Sequence, residues 1–117
     1  MRFLLVGIGG GAGSVLRYAI GLALAGATFP YATLIVNVVG CFFIGLAMAS
    51  VERTPLLAPD LRLLLVVGFL GGFTTFSAFG YESVALFKTN ATLAALNVAA
   101  NIFLGLAAVI AGRSIAG

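Results

Sequence analysis

The chain of 117 residues has very few charged side chains, no His, no Trp, one Cys and three Pro. Only 8% of its residues are charged, whereas soluble domains average about 25%. So few charges cannot cover a water-facing surface, which excludes a soluble globular domain. The net charge of +3 comes from six basic and three acidic residues, too few for a nucleic-acid interface. The single Cys41 excludes an intrachain disulfide.

Long apolar runs fill most of the chain, and 62% of its residues are hydrophobic. Four such runs, of which only the first is broken by a charge (Arg17), predict membrane spans at about 3–27, 32–51, 62–86 and 91–112. Each approaches or exceeds the roughly 20 residues that a helix needs to cross a bilayer core. The runs are continuously apolar rather than alternating, which favours helices over barrel strands. The sequence therefore predicts an all-α membrane protein, one domain spanning 1–117 with four transmembrane helices.

Helix breakers and charges predict the connections around Pro30, between Glu52 and Arg62, and at Asn90, a predicted N-cap. Four spans place both termini and the Glu52–Arg62 connection on one side of the membrane. The basic residues on that side are Arg2, Arg53, Arg62 and Arg113. Lys88 lies on the other side, with Arg17 if it reaches that far. The positive-inside rule favours cytoplasmic termini, but so small a difference leaves both orientations open.

Glycine and polar residues inside the runs distinguish this chain from four plain anchors. Gly9-x-x-x-Gly13 predicts close packing of the first helix against a neighbour. Arg17 either reaches the membrane interface or lies at a water-filled entrance that attracts anions. Asn37 either bonds a neighbouring helix or donates its amide to a passing anion. The same two interpretations apply to Asn97 and Asn101, which lie one helical turn apart.

The segment from Gly68 to Glu82 is the most unusual part of the chain. Gly71-Gly72 followed by Thr74-Thr75 makes a poor continuous helix, because glycine and β-branched residues have low helix propensity. A break here would free backbone carbonyls within the membrane, where protein, water or an ion must satisfy them. Phe76 and Phe79 share a helix face, and their ring edges carry a partial positive charge that can meet an anion.

Three ordered motifs resemble the Fluc (CrcB) family of fluoride channels. They are Gly10-Gly11-Ala12-Gly13-Ser14-x-x-Arg17-Tyr18, Pro30-x-x-Thr33-Leu34-x-Val36-Asn37-x-x-Gly40-x-Phe42-x-x-Gly45 and Gly68-Phe69-x-Gly71-Gly72-Phe73-Thr74-Thr75-Phe76-Ser77-x-Phe79. The resemblance covers the whole chain. It implies a passive, fluoride-selective channel that exports fluoride and so reduces its toxicity, as a multi-pass protein of the bacterial plasma (inner) membrane. It also implies an antiparallel dual-topology dimer, with the third helix broken mid-membrane and two pores along the subunit interface.

The resemblance also implies roles for individual residues. Backbone carbonyls of Gly71 and Thr74, from both subunits, are implied to hold a structural Na⁺ at the dimer centre. The residues implied to line the fluoride pore are Asn37, Thr75, Phe76, Ser77 and Phe79. Arg17 is implied at the vestibule and Glu82 near the end of the pore. The expected partners are fluoride, membrane lipid and a second copy of the chain, with no nucleic acid and no enzymatic activity.

Three positions depart from the family pattern. Ala78 stands where the family commonly has Thr, and Asn97 and Asn101 stand where its fourth helix commonly has Tyr and Ser. One hypothesis is that one pore is weakened and that the chain is a non-conducting or partner-dependent subunit of a heterodimer with a paralogue. A small multidrug transporter is a remote alternative of similar length. Such transporters need a carboxylate in the first span, where this chain has Arg17 and no acid.

Overall fold

Every regular element in the computed structural model is a helix, and the structure describes residues 1–53 and 58–116. The elements are, in chain order, α1 (Arg2–Ala23), α2 (Tyr31–Arg53), α3 (Pro59–Arg62), a π-helical stretch (Leu63–Leu70), α4 (Gly71–Phe73), α5 (Phe76–Thr89) and α6 (Ala91–Ala116). The predicted connection between Glu52 and Arg62 lies partly outside the described residues, at 54–57. The Asn90 side chain accepts from the backbone N–H of Leu93 at 3.1 Å, so the predicted N-cap of α6 is confirmed.

Within the part of the chain that the structure describes, four helical stretches are long and apolar enough to cross a membrane. They are Arg2–Ala23, Tyr31–Arg53, Pro59–Thr89 and Ala91–Ala116. The long dimension of the molecule is 47 Å, more than the hydrocarbon core of about 30 Å. The prediction of an all-helical protein with four candidate membrane-spanning helices is confirmed. The first helix ends at Ala23, short of 27, before Gly26 with its φ of +94°, a conformation that favours glycine.

Among the described residues, two ion pairs lie at the end of the molecule where the chain begins and α6 ends. Arg113 contacts Glu52 at 3.0 Å, and Arg2 lies 3.6 Å from Asp60. Both pairs are largely exposed, so they add little to stability. They do place the N-terminus, the C-terminal part of α6, the end of α2 and the start of α3 at one end, as an even number of crossings requires.

Helix backbones approach closely where glycine faces a neighbour. On α1, a Cβ at Gly9 or Gly13 would overlap the carbonyls of Leu64 and Phe69 respectively, so the close packing predicted for this motif is confirmed. α2 packs along α6 in the same way, and a Cβ at Gly112 would overlap the carbonyl of Phe42. Such contacts supply the van der Waals packing that holds helices together in lipid.

Helical backbone stops after Phe73 and resumes at Phe76. Thr74 has φ −87° and ψ 157°, and Thr75 has φ −151° and ψ 119°, so both residues are extended. The Oγ1 atom of Thr75 accepts from the backbone N–H of Ala78 at 3.2 Å, which makes Thr75 the N-cap of α5. We call Thr74 and Thr75 the interruption. It follows two glycines and consists of two β-branched residues, which explains its position.

Candidate functional site

A groove of about 370 Å³ beside the interruption brings together most of the predicted site residues. Those that line it are Asn37, Gly71, Thr74, Thr75, Phe76, Phe79 and Asn101. Ser77 is exposed, and its hydroxyl lies 3.4 Å from that of Thr75. Asn97 is buried outside the groove lining, and Arg17 and Glu82 line a second cavity. The structure therefore divides the predicted site between a groove, a cavity and a buried position.

Asn37 pairs with the extended backbone of Thr75. Its Oδ1 accepts from the Thr75 N–H at 2.8 Å, and its Nδ2 donates to the Thr75 carbonyl at 3.0 Å. The Thr75 N–H would bond the Gly71 carbonyl in a continuous helix, so the asparagine replaces a partner that the interruption removes. Asn37 on α2 therefore bonds the extended backbone between α4 and α5.

Arg17 and Ser14 satisfy another carbonyl freed by the interruption. The Nε of Arg17 donates to the Gly72 carbonyl at 3.1 Å, and the Ser14 hydroxyl lies 3.4 Å from the same oxygen. The Arg17 side chain is thus directed at the interruption from α1. In contrast, the carbonyls of Gly71 and Thr74 accept none of the hydrogen bonds made by the described residues.

The α6 asparagines also form hydrogen bonds near the groove. Asn101 lines it and accepts from Asn37 Nδ2 at 3.2 Å. Asn97 is fully buried and donates to the Ser83 hydroxyl on α5 at 2.9 Å. Only Asn101 of this predicted pair therefore lies on the groove.

Two phenylalanine rings form one side of the groove. The ring centroids of Phe76 and Phe79 are 5.4 Å apart and the planes are tilted by 60°. Phe79 is buried, whereas Phe76 is 80% exposed. Because Phe76 is so exposed, the chain by itself leaves the groove open on this side.

A cavity of about 710 Å³ lies beyond the interruption, and Arg17, Tyr81, Glu82 and Thr75 contribute to its wall. Thr75 also lines the groove, so the groove and the cavity adjoin at this residue. The Oε1 atom of Glu82 is buried and has no hydrogen-bond partner among the described residues. The wall of the cavity beside the groove thus contains one basic side chain, Arg17, and one acidic side chain, Glu82.

Two of these hydrogen bonds, from Ser14 to the Gly72 carbonyl and from Asn97 to Ser83, were not predicted from the sequence. Ser14 precedes Arg17 by three residues, so both side chains share one face of α1, and that spacing could have indicated a joint role. Ser83 gives no comparable signal, because a single serine beside a charged residue is common on helix surfaces. Its role as the partner of Asn97 depends on how α5 crosses α6.

Residues 4–113 match the family model described as "CrcB-like protein, Camphor Resistance (CrcB)". The chain belongs to the CrcB family. It is 51% identical over 119 residues to a protein of Rhizobium etli named "Fluoride-specific ion channel FluC", covering 98% of this chain and 95% of the relative. A protein of the same name from Solibacter usitatus is 47% identical, covering 99% of this chain and 98% of the relative. Another from Flavobacterium psychrophilum is 43% identical, covering 95% of this chain and 93% of the relative.

Membership of the CrcB family agrees with the four apolar helices of the structure. With relatives named as ion channels over nearly the whole length, this chain is a multi-pass membrane protein. The three departures from the family pattern lie on α5 and α6. Asn101 lines the groove, Ala78 lines the cavity, and Asn97 is buried.

Proposed function

We propose that this CrcB protein is a fluoride-specific ion channel, which lets fluoride leave the cell passively and so lowers its toxicity. The observation that carries the proposal is the groove, where an amide, hydroxyls and two aromatic rings lie beside an interrupted helix in a chain whose relatives are named for this activity. The proposed location is the bacterial inner membrane. The role is transport without covalent chemistry, so the protein is not an enzyme.

The proposed path runs from the cavity, past Thr75, into the groove. Fluoride is small and strongly hydrated, so a selective path must replace its water with hydrogen-bond donors and positive ring edges. Asn37, Thr75 and Ser77 supply amide and hydroxyl donors, and Phe76 and Phe79 supply ring edges. Arg17 attracts the anion into the cavity, and Glu82 lies near the mouth of the path. Several weak sites allow an ion to leave as readily as it arrives.

A second copy of the chain is proposed to close the groove. Polar backbone cannot face lipid, and Phe76 at the edge of the groove is 80% exposed. An antiparallel partner, inserted in the opposite orientation, would bring two interruptions together at mid-membrane and form two pores at the interface. The remaining contact of the dimer would be with membrane lipid.

A sodium ion is proposed at the centre of that dimer. Among the described residues no group of three or more His, Cys, Asp or Glu could hold a metal ion. The carbonyls of Gly71 and Thr74 fit a hard monovalent cation, because both residues line the groove and these oxygens accept no hydrogen bond from the described residues. Carbonyl oxygens can replace an ion's hydration shell. The ion would hold the two interruptions together, and Gly71 and Thr74 of each subunit would contribute to its ligands.

The other interpretations are less well supported. A small multidrug transporter is not favoured, since the chain belongs to the CrcB family and its first span carries Arg17 instead of an acid. A non-conducting or partner-dependent subunit is not favoured either, because relatives named as complete channels align with nearly the whole chain.

Purified chain reconstituted alone in liposomes tests the proposal. We expect rapid fluoride efflux, recorded with a fluoride-selective electrode, and retention of chloride in matched liposomes. A well-folded dimer that releases no fluoride would contradict a channel formed by this chain alone. Fluoride release that resumes when a paralogous subunit is supplied would instead favour the heterodimer.

Replacing Arg17 by alanine should slow fluoride efflux by about tenfold, because a positive charge in the wall of the cavity raises the local anion concentration. Fluoride preference over chloride should stay unchanged, since selectivity depends on the groove. The loss should shrink at high ionic strength, where the charge is screened.

Arg17→Lys is the matched control, because lysine keeps the charge and lacks the guanidinium Nε that bonds Gly72. Near-normal efflux in Arg17→Lys would attribute the effect to charge. An equal, salt-independent loss in both variants would contradict electrostatic attraction and attribute the effect to the lost bond to the Gly72 carbonyl.

A further inference from the structure

Three asparagines and a serine form a continuous series of hydrogen bonds that starts at the interruption. We call Asn37, Asn101, Asn97 and Ser83 the amide chain. Asn37 Nδ2 donates to Asn101 Oδ1 at 3.2 Å. Asn101 Nδ2 donates to the side-chain oxygen of Asn97 at 3.0 Å and to its backbone carbonyl at 2.9 Å. Asn97 Nδ2 then donates to the Ser83 hydroxyl at 2.9 Å.

Backbone groups at two points fix the direction of these amides. The oxygen and nitrogen of a side-chain amide are assigned from their partners. The Thr75 N–H can only donate, so the Asn37 atom that faces it must be oxygen. The Asn97 carbonyl can only accept, so the Asn101 atom that faces it must be nitrogen. Both conditions lead to the same arrangement, in which the NH₂ group of Asn37 faces the Asn101 oxygen.

Asn97 can act on the groove without lining it. Its exposed fraction is 0%, whereas Asn37 and Asn101 both line the groove. Burying an amide without partners is costly, so the bonds of Asn97 to Ser83 and Asn101 favour a single arrangement of all three side chains. That arrangement keeps an acceptor, the Asn101 oxygen, directed at the NH₂ group of Asn37.

We propose that Asn97 is a positioning residue for fluoride conduction, acting through Asn101 to hold the NH₂ group of Asn37 towards the groove. The inference rests on the proposed function, in which Asn37 donates to a passing fluoride ion. The Asn101 oxygen is the more distant of the two acceptors of that NH₂ group. A fluoride ion takes its place, and the amide chain returns the group to the same direction when the ion leaves.

A double-mutant cycle on fluoride efflux tests this role. Asn97→Leu removes the buried amide and should slow efflux by about tenfold, the rate change that corresponds to one hydrogen bond. Asn37→Ser shortens the side chain and keeps one donor, so its efflux should be slower but measurable. If Asn97 acts through Asn37, adding Asn97→Leu to Asn37→Ser should cause no further loss. Ser114→Ala is the control on α6, because the exposed Ser114 hydroxyl donates to the carbonyl of Ile110 in the same helix and to no other described residue.

Losses that multiply in the double variant would overturn the inference, since Asn97 would then act independently of Asn37. Normal efflux in Asn97→Leu would also overturn it. The unmodified chain is measured in the same experiment, so these outcomes are distinct from failure of the proposed function, which would abolish efflux in every sample.

Ser83→Ala provides a second test that leaves all three asparagines in place. It removes only the last acceptor of the amide chain, so it keeps the inference testable even if Asn97→Leu does not fold. We expect a smaller loss of efflux, which disappears in the Asn37→Ser background. A loss that persists undiminished in that background would contradict the proposed role.

Discussion

Phe79→Ile is expected to reduce fluoride efflux to the leak rate of protein-free liposomes while the dimer stays intact. Phe79 is buried beside Phe76 on the groove. Isoleucine keeps an apolar side chain in this place, so the helix packing should survive with a modest loss of stability. What disappears is the positive ring edge. A dehydrated anion then meets an aliphatic surface on the proposed path, which offers no replacement for water.

Phe87→Ile is the matched control, with the same substitution on the same helix. Phe87 is exposed and lies outside the groove lining, so its efflux should be normal. Fluoride efflux and the elution profile in detergent should be measured for both variants. If the loss of flux in Phe79→Ile merely follows a loss of dimer, the ring has a role in assembly, and the proposed pore role of Phe79 is wrong.

The helical architecture could be predicted from the distribution of charge. Nine charges among 117 residues leave four apolar runs, and a bilayer admits few structures for them. The interruption was also predictable, since glycine pairs and adjacent threonines each disfavour helix. These are local properties of the chain, so they can be recognised without a structure.

The partners of the polar residues could not be predicted in the same way. Asn37 was expected either to bond a helix or to serve an anion, and the structure pairs it with Thr75, 38 residues away. Arg17 is predicted at an interface or an entrance; it lines the cavity, and its Nε bonds the Gly72 carbonyl, a partner that the sequence did not indicate. Both contacts depend on how distant helices cross, which apolar periodicity does not determine because nearly every face of these helices is apolar.

Thr74→Pro should dissociate the proposed dimer, because it changes the backbone at the proposed sodium site. The Thr74 N–H bonds the Leu70 carbonyl at 3.1 Å. Proline removes this bond, and its ring would clash with the same carbonyl, at a cost of about 3 kcal/mol. Proline also disfavours the helical conformation of the preceding Phe73. The end of α4 would shift, and with it the carbonyls of Gly71 and Thr74 that are proposed to bind the ion.

Thr74→Ser is the control for this prediction, since serine keeps both the N–H and the hydroxyl that bond Leu70. Sedimentation in detergent should show a dimer for the unmodified chain and for Thr74→Ser, and a monomer for Thr74→Pro. Replacing sodium with a large organic cation should shift the unmodified chain towards monomer, because no ion would then hold the two interruptions together. A Thr74→Pro dimer that is indifferent to sodium would contradict the proposed ion site. Sodium-dependent dimers of the unmodified chain and of Thr74→Ser, with no dimer of Thr74→Pro, would support it.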